Sequence, residues 1–517
     1  MNKYIKLSVF TLGVLILSSC VNEDDLFQVD PNVQTTESFW KTPEDAVNGL
    51  NAAYGKLTVD GTYMRCSPLL LDLKGDDCRS NSPWGAMANV GRFNSSIADA
   101  AIYGWAFETY YQGVYRCNQV LDNVPNIEMD SDLRDRIVGQ AKFLRGLYFF
   151  HLVNMYKNVA LPTTSTELYN PQKTQEEGWA QVIQDFTDAA ALLPVSYDGI
   201  TGPDANTQEG RATKGAALGY LGKAYLFTKD FANAETTFKQ VIDLGVYSLV
   251  DDYRDNFTTD NENNSESLFE VQFDREVGGV DLSWCCTPVA GWGRTSARAI
   301  TYAPRSFGWT DVQPTWTLYN AFLEEPTVNG DKDPRLDATI FYNGNPASLY
   351  GNDFSTYYAG NAADLNDLFC RKYQNDQTNI DEFDWRSGIN ERLLRYADIL
   401  LMYAECLNEN GKTADAYQYI QMVRSRADLP DLATTKPNMT QAQMREQLDH
   451  ERFLEFALEG HRFDDIRRWG WLEDDAKLAE LKQRDAEYNT YVPGREYFPI
   501  PLAEIDNNPG TQQNEGY

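Results

Sequence analysis

The 517-residue chain carries 76 acidic against 45 basic side chains, a formal net charge of −31 that repels phosphate backbones and anionic headgroups. Nucleic-acid binding and polybasic membrane docking are therefore excluded, and sulfated or uronate-rich ligands are disfavoured. Aromatic residues make up 13 % of an otherwise polar composition, enough that some are expected on the surface for a purpose.

The first element is an export signal. Lys3 and Lys6 precede an apolar run from Leu7 to Leu17, too short to span a bilayer, and small residues follow up to Cys20. Residues 1–19 read as a signal peptide and 20–40 as a tether. Leu17-Ser18-Ser19-Cys20 resembles the lipobox of bacterial lipoproteins, which implies that Cys20 becomes the acylated first residue of the mature chain. The acidic stretch from Val21 to Asp25 is similar to the signal that sends Bacteroidetes lipoproteins to the cell surface. Without Cys20, the cysteines at 66, 78, 117, 285, 286, 370 and 406 are odd in number and unclustered. They form neither a disulfide framework nor a zinc site, although Cys66 and Cys78 are a candidate pair. No metal or cofactor is predicted.

A single domain over 41–517 is expected, mostly α-helical, with scaffold at about 41–249 and 391–500 and a loop-rich insertion at about 250–390. Helical spacing of Ala46, Leu50, Ala53, Tyr54 and Leu57 predicts a helix over 44–59. A helix at 141–156 and another at 179–193 form an interrupted hairpin. The clearest repeat is 217–242, where Leu218, Leu221, Gly222, Tyr225, Ala234, Phe238 and Val241 take the packing positions of a tetratricopeptide repeat. Leu400, Tyr403, Ala404, Leu407, Ala416, Ile420 and Val423 repeat that spacing. Such hairpins cannot bury their apolar faces alone and must stack. The insertion is rich in Gly, Pro, Asn and aromatics, and long loops on a helical frame usually carry function.

Near the end, EGHRFDDIRRWG (459–470) follows a helix over 441–459 whose apolar arc, Met444, Leu448, Leu454 and Leu458, also contains Glu451 and Glu455. Carboxylates on a buried arc need partners, and Arg462, Arg467 and Arg468 lie just past the helix-ending Gly460. This reads as an ion-pair corner. The rival reading, His461 with Asp464 or Asp465 as an acid/base pair, is the weaker one.

EGHRFDDIRRWG, AKFLRGLYFFHLVNMYKNVALP (141–162), RLLRYADILLMYAECLNENG (392–411) and REYFPIPLAEIDNNPGTQQNEGY (495–517) each resemble blocks of the RagB/SusD family, in order along nearly the whole chain. The resemblance implies a non-enzymatic surface lipoprotein of the outer membrane. It would capture a glycan and pass it to a TonB-dependent, SusC-like transporter that it covers as a lid. A peptide receptor of the RagB type is the alternative, and a glycoside hydrolase a more distant one.

Sugars offer apolar C–H faces to aromatic rings and paired hydroxyls to planar polar groups. Two segments supply both. One is 75–89, with Asp77, Arg79, Asn81 and Trp84; the other is the insertion, with Trp284, Trp292, Trp309, Tyr350, Tyr357 and Arg371. Trp84, Trp292 and Trp309 stand beside Pro or Gly in loop-like sequence and are the predicted ring platforms, with Tyr350 and Arg371 added as ligand contacts. An ion pair at a strand edge is an equal alternative for Arg371. Trp105, Trp179, Trp316 and Trp469 are expected in the core.

Overall fold

Helix starts are set by local caps. The Thr42 hydroxyl accepts from Asp45 N, while the Asp45 carboxylate takes Thr42 N at 2.9 Å, and Pro43 fills the first helical position of α1 (Pro43–Tyr54). The computed structural model describes residues 39–167, 170–204, 209–276, 295–378, 382–384 and 386–517. The predicted signal peptide, Cys20, Trp284, Cys285, Cys286 and Trp292 lie outside them. After α1 come α2 (Cys66–Asp72), strand β1 (Cys78–Ser80), α3 (Gly85–Gly91), α4 (Tyr103–Asn123) and α5 (Ser131–Tyr156). A second capping box, Thr174 with Glu177, starts α6 (Gln175–Leu192). The hairpin α7 (Lys214–Phe227) and α8 (Phe231–Asp243) follows.

The chain then loosens into β2 (Ser267–Val271), α9 (Arg298–Tyr302), β3 (Val312–Pro314), α10 (Trp316–Ala321), α11 (Pro334–Thr339) and β4 (Glu391–Arg395), among other short pieces. Long helices return with α12 (Tyr396–Glu409), α13 (Thr413–Arg426), α14 (Gln441–Glu455), the short α15 (Arg462–Arg468) and, near the C-terminus, α16 (Leu502–Asn507).

Hairpins stack as the repeats require: α1 packs on α4, α4 on α5, α5 on α6, α6 on α7, α7 on α8, α8 on α12 and α12 on α13. The molecule is a mostly α, tetratricopeptide-like scaffold. Close approach depends on small residues. Ala234, Ala404 and Ala416 are fully buried, and a Cβ added to Gly222 would stand 2.5 Å from the Phe238 ring. Gly222→Ala should therefore lower unfolding free energy by about 1–3 kcal/mol, read from urea denaturation, because the added methyl would overlap a fully buried ring.

Among the described residues, β-structure is limited to four two-stranded antiparallel pairs. β2 with β4 joins the beginning of the loosened stretch to its end. β1 with β3 sets Cys78 opposite Pro314, Arg79 opposite Gln313 and Ser80 opposite Val312. At the C-terminus, Phe498 N donates to Met155 O (2.8 Å), and Asn514 Nδ2 donates to both Tyr156 O (2.9 Å) and Phe498 O (2.7 Å), tying the tail to α5. Cys66 and Cys78 are both buried and not joined in a disulfide, so the candidate pair does not form; the two serve as small apolar core residues.

Candidate functional site

β1 is too short to bury a face of its own. Its partner β3 fixes it, and the pairing continues beyond the ladder: Asn81 N donates to Asp311 O (2.7 Å) and Asn81 Nδ2 to Thr310 O (3.2 Å). This brings the 79–84 segment beside Trp309. Trp309 N donates to Ile300 O (2.8 Å), and Thr310 takes a left-handed φ of 57°, turning the chain into β3. Arg79 and Asn81 are exposed, and Trp84, at the N-terminus of α3, is half-buried.

A third tryptophan joins them from α4. The Trp84 and Trp105 rings lie 5.9 Å apart, tilted by 34°, and the Arg65 guanidinium carbon sits 5.6 Å and 5.9 Å from their centroids. Arg65 is locked by a bidentate pair with Asp60, at 2.7 and 2.6 Å. Asp311 stands on the other side, where burial raises its carboxyl against the Ser82 hydroxyl and the Arg65 charge. Trp84, Trp105 and Trp309 all rest on the main core while only partly buried. Partly exposed rings fixed from behind, with Arg, Asn and Asp at the edge, can hold apolar faces and paired hydroxyls without rearranging.

Trp105 was expected in the core because it lies on a helix, but its place on the edge of α4 leaves it half-buried beside Trp84. Trp316 also departs from expectation. It is the first residue of a six-residue helix, 48 % exposed, edge-on to Tyr319 at 5.3 Å. Trp179 is in the core, and half-buried Trp469 donates Nε1 to Glu405 Oε1 (2.9 Å).

Three other predicted residues are not brought to this surface. Asp77 is buried, its Oδ2 accepting from Leu458 N (2.8 Å), and burial together with Asp72 pushes its carboxyl up to about 7. Arg371 is held by Asp376 Oδ2 (3.0 Å) and Asp337 O (2.9 Å), the ion pair weighed for it on sequence grounds. Tyr350 is buried, stacked on Phe307 at 4.6 Å, with its hydroxyl 2.8 Å from Gln374 Oε1 and 2.7 Å from Glu382 Oε1.

Glu382 makes that last contact pH-sensitive. Burial pushes its carboxyl up to about 7, against hydrogen bonds from Tyr350 and Asn375. The folded state thus keeps a proton that the unfolded chain releases near 4.5, and the resulting stability fades as pH rises through 7. Glu382→Gln should remove up to about 3 kcal/mol of the stability lost between pH 4 and 8, measured by urea unfolding at both limits.

The charged corner is structural, but the arginines that meet Glu451 and Glu455 come from outside it. Glu451 and Glu455 are fully buried and meet Arg335 (2.7 and 3.0 Å), while Arg424 adds to Glu451 (3.2 Å) and Arg395 (3.1 Å) and Arg426 (2.5 Å) to Glu455. Arg462 instead binds Asp76 and Asp449, Arg467 binds Asp464, and Arg468 binds Glu405 and Asp465. Burial and the neighbouring Lys223 push His461 down to about 3, so its ring is neutral at physiological pH. Asp465 is already taken by Arg452 Nε at 2.7 Å. Among the described residues, no cluster of three or more His, Cys, Asp or Glu is placed to hold a metal, and no helix is long and apolar enough to cross a membrane.

Comparison with known proteins places this architecture. The SusD family profile matches residues 250–517, and one described as starch-binding, associating with outer membrane, matches 61–226. SusD-like protein P25 of Formosa agariphila is 27 % identical, over 99 % of this chain and 100 % of its own length. The starch-binding protein SusD of Bacteroides thetaiotaomicron is 23 % identical over 100 % of this chain and 99 % of its own. Among solved structures, a SusD superfamily protein from Bacteroides vulgatus superposes with a TM-score of 0.81 at 28 % identity, covering 93 % of this chain and 100 % of its own. A laminarin-binding SusD-like protein superposes at 0.74 with 25 % identity, over 92 % of this chain and 100 % of its own.

Proposed function

The chain belongs to the SusD family, and from that membership and the Trp84–Trp105–Trp309 surface we propose a receptor that binds a neutral polysaccharide and does not cut it. Lipid attached at Cys20 anchors it to the outer membrane, facing the exterior, and the bound glycan passes to a TonB-dependent transporter of the SusC type. Arg79 and Asn81 supply the exposed polar edge of the site, buried Arg65 supports its rings from behind, and Trp292 of the insertion is a further ring contact.

The observation that carries the reading is the pair of partly exposed rings, Trp84 and Trp105, set against one arginine, with partly exposed Trp309 in the segment that the β1–β3 pairing brings alongside. A strongly negative chain accommodates neutral sugars more readily than acidic ones. Names among the relatives, starch-binding and laminarin-binding, support a glucan. The engagement of Asp465 and Glu455 with arginines supports a passive role, since a hydrolase needs two carboxylates free to flank a bond.

Native electrophoresis through gels containing laminarin, soluble starch or galactomannan tests this. Retardation in at least one gel, with no reducing ends released on incubation, is expected. Free migration in all three, with binding to a peptide pool, would replace the glycan by a peptide; released reducing ends would make the protein an enzyme.

A further inference from the structure

α4 continues past the tryptophan cluster. Trp105, Glu108, Gln112 and Tyr115 recur at spacings of three, four and three, which is one face of a helix. Opposite that face stand the turn at 98–101, Pro501 and, from α16, Ala503 and Asn507, and the walls enclose a groove of about 790 Å³. Its volume falls in the range of ligand sites.

The lining has the chemistry of the first surface. Trp105 and Tyr115 offer rings, and Tyr115 is 46 % exposed. Planar polar groups lie between them: Gln112 Nε2 donates to Glu108 Oε1 at 3.0 Å, and Lys56 Nζ donates to Gln112 Oε1 at 2.6 Å, so the amide is held in one orientation. Trp105 belongs to both places, since it lines the groove and stands 5.9 Å from Trp84. From Trp105 to Tyr115 the helix rises about 15 Å, long enough for more than one sugar ring.

We propose that a bound polysaccharide does not end at the Trp84–Trp309 surface but runs past Trp105 and along α4 to Tyr115, which makes the protein selective for polymer over short oligosaccharide. The proposal rests on the glycan reading above. Its occupant is the same neutral chain, because the groove is continuous with that surface through a shared ring and repeats its pattern of rings and planar polar groups.

The test uses the whole mature protein and a Tyr115→Ala, Glu108→Ala variant, both changes being at the surface, with a Trp84→Ala variant as reference. Affinities for laminarin and laminaritriose, and for soluble starch and maltotriose, are measured by isothermal titration, with thermal melts as a fold control. The groove variant should melt like the parent, bind the polymer about tenfold more weakly and bind the trisaccharide as the parent does. Unchanged polymer affinity in a groove variant, where Trp84→Ala weakens it about tenfold, overturns the extended path and leaves the glycan reading standing. Equal loss of polymer and trisaccharide also overturns it, since the groove would then act only by distorting the first surface. If the parent binds none of the four, the glucan reading falls and the path falls with it.

Discussion

Replacing both Trp84 and Trp309 by alanine should weaken binding of the retained polysaccharide by about a hundredfold, with little change in melting temperature. Ring platforms at a preformed site act as hot spots, and about 1.4 kcal/mol from each of two rings multiplies to that factor. Both rings are only partly buried, so their removal opens surface rather than a cavity. Isothermal titration of the double variant against laminarin or starch, whichever the parent retains, reads the effect. A loss below about threefold would remove these rings from the site. Replacement by phenylalanine should recover part of the affinity, because the remaining ring still offers a π-face to the sugar.

Arg335→Ala should cost about 3–5 kcal/mol of unfolding free energy, the largest single effect expected on stability. Arg335 is entirely buried in α11 and reaches Asp333 at 2.8 Å as well as Glu451 and Glu455 of α14. Deleting it strands carboxylates in a place that water does not reach. Arg424, Arg395 and Arg426 remain, which keeps the loss from being larger. Equilibrium urea unfolding measures it; a loss under about 1 kcal/mol would mean that the network relaxes around the gap. Because α11 belongs to the loosened stretch and α14 to the scaffold, this arginine also ties the one to the other.

The helical frame was legible because its signals are local. Packing positions at 217–242 and 400–423 repeat a spacing, and the buried arc of 441–459 shows on a helical wheel; the observed helix ends at Glu455, with Leu458 and Gly460 at positive φ completing the turn. What the carboxylates on that arc touch was not legible. Past the turn at Gly460 the chain points its arginines at Asp76, Asp464 and Glu405, while the partners of Glu451 and Glu455 arrive from α11, β4 and α13.

The site divides in the same way. Loop context pointed to incomplete burial of Trp84 and Trp309, which are partly exposed, but nothing in the sequence announced that a three-residue ladder would bring their segments together. Asp77 sat among good candidates and is an internal support, because it precedes the strand and its carboxylate accepts from Leu458 N, a partner remote in sequence. Trp105 was expected in the core and is half-buried, since a helical tryptophan is read as core unless the exposed edge of its helix is known. A pattern of Trp105, Glu108, Gln112 and Tyr115, mixed in polarity on a single face, was the available signal.

The β1–β3 ladder has a consequence for biogenesis. The tryptophans it aligns are translated far apart, so the nascent chain holds no competent grip until the later strand has been made and has docked. A protease cut between Ser80 and Val312 that allowed the strands to part would leave two fragments, each with part of the hand and neither able to close it.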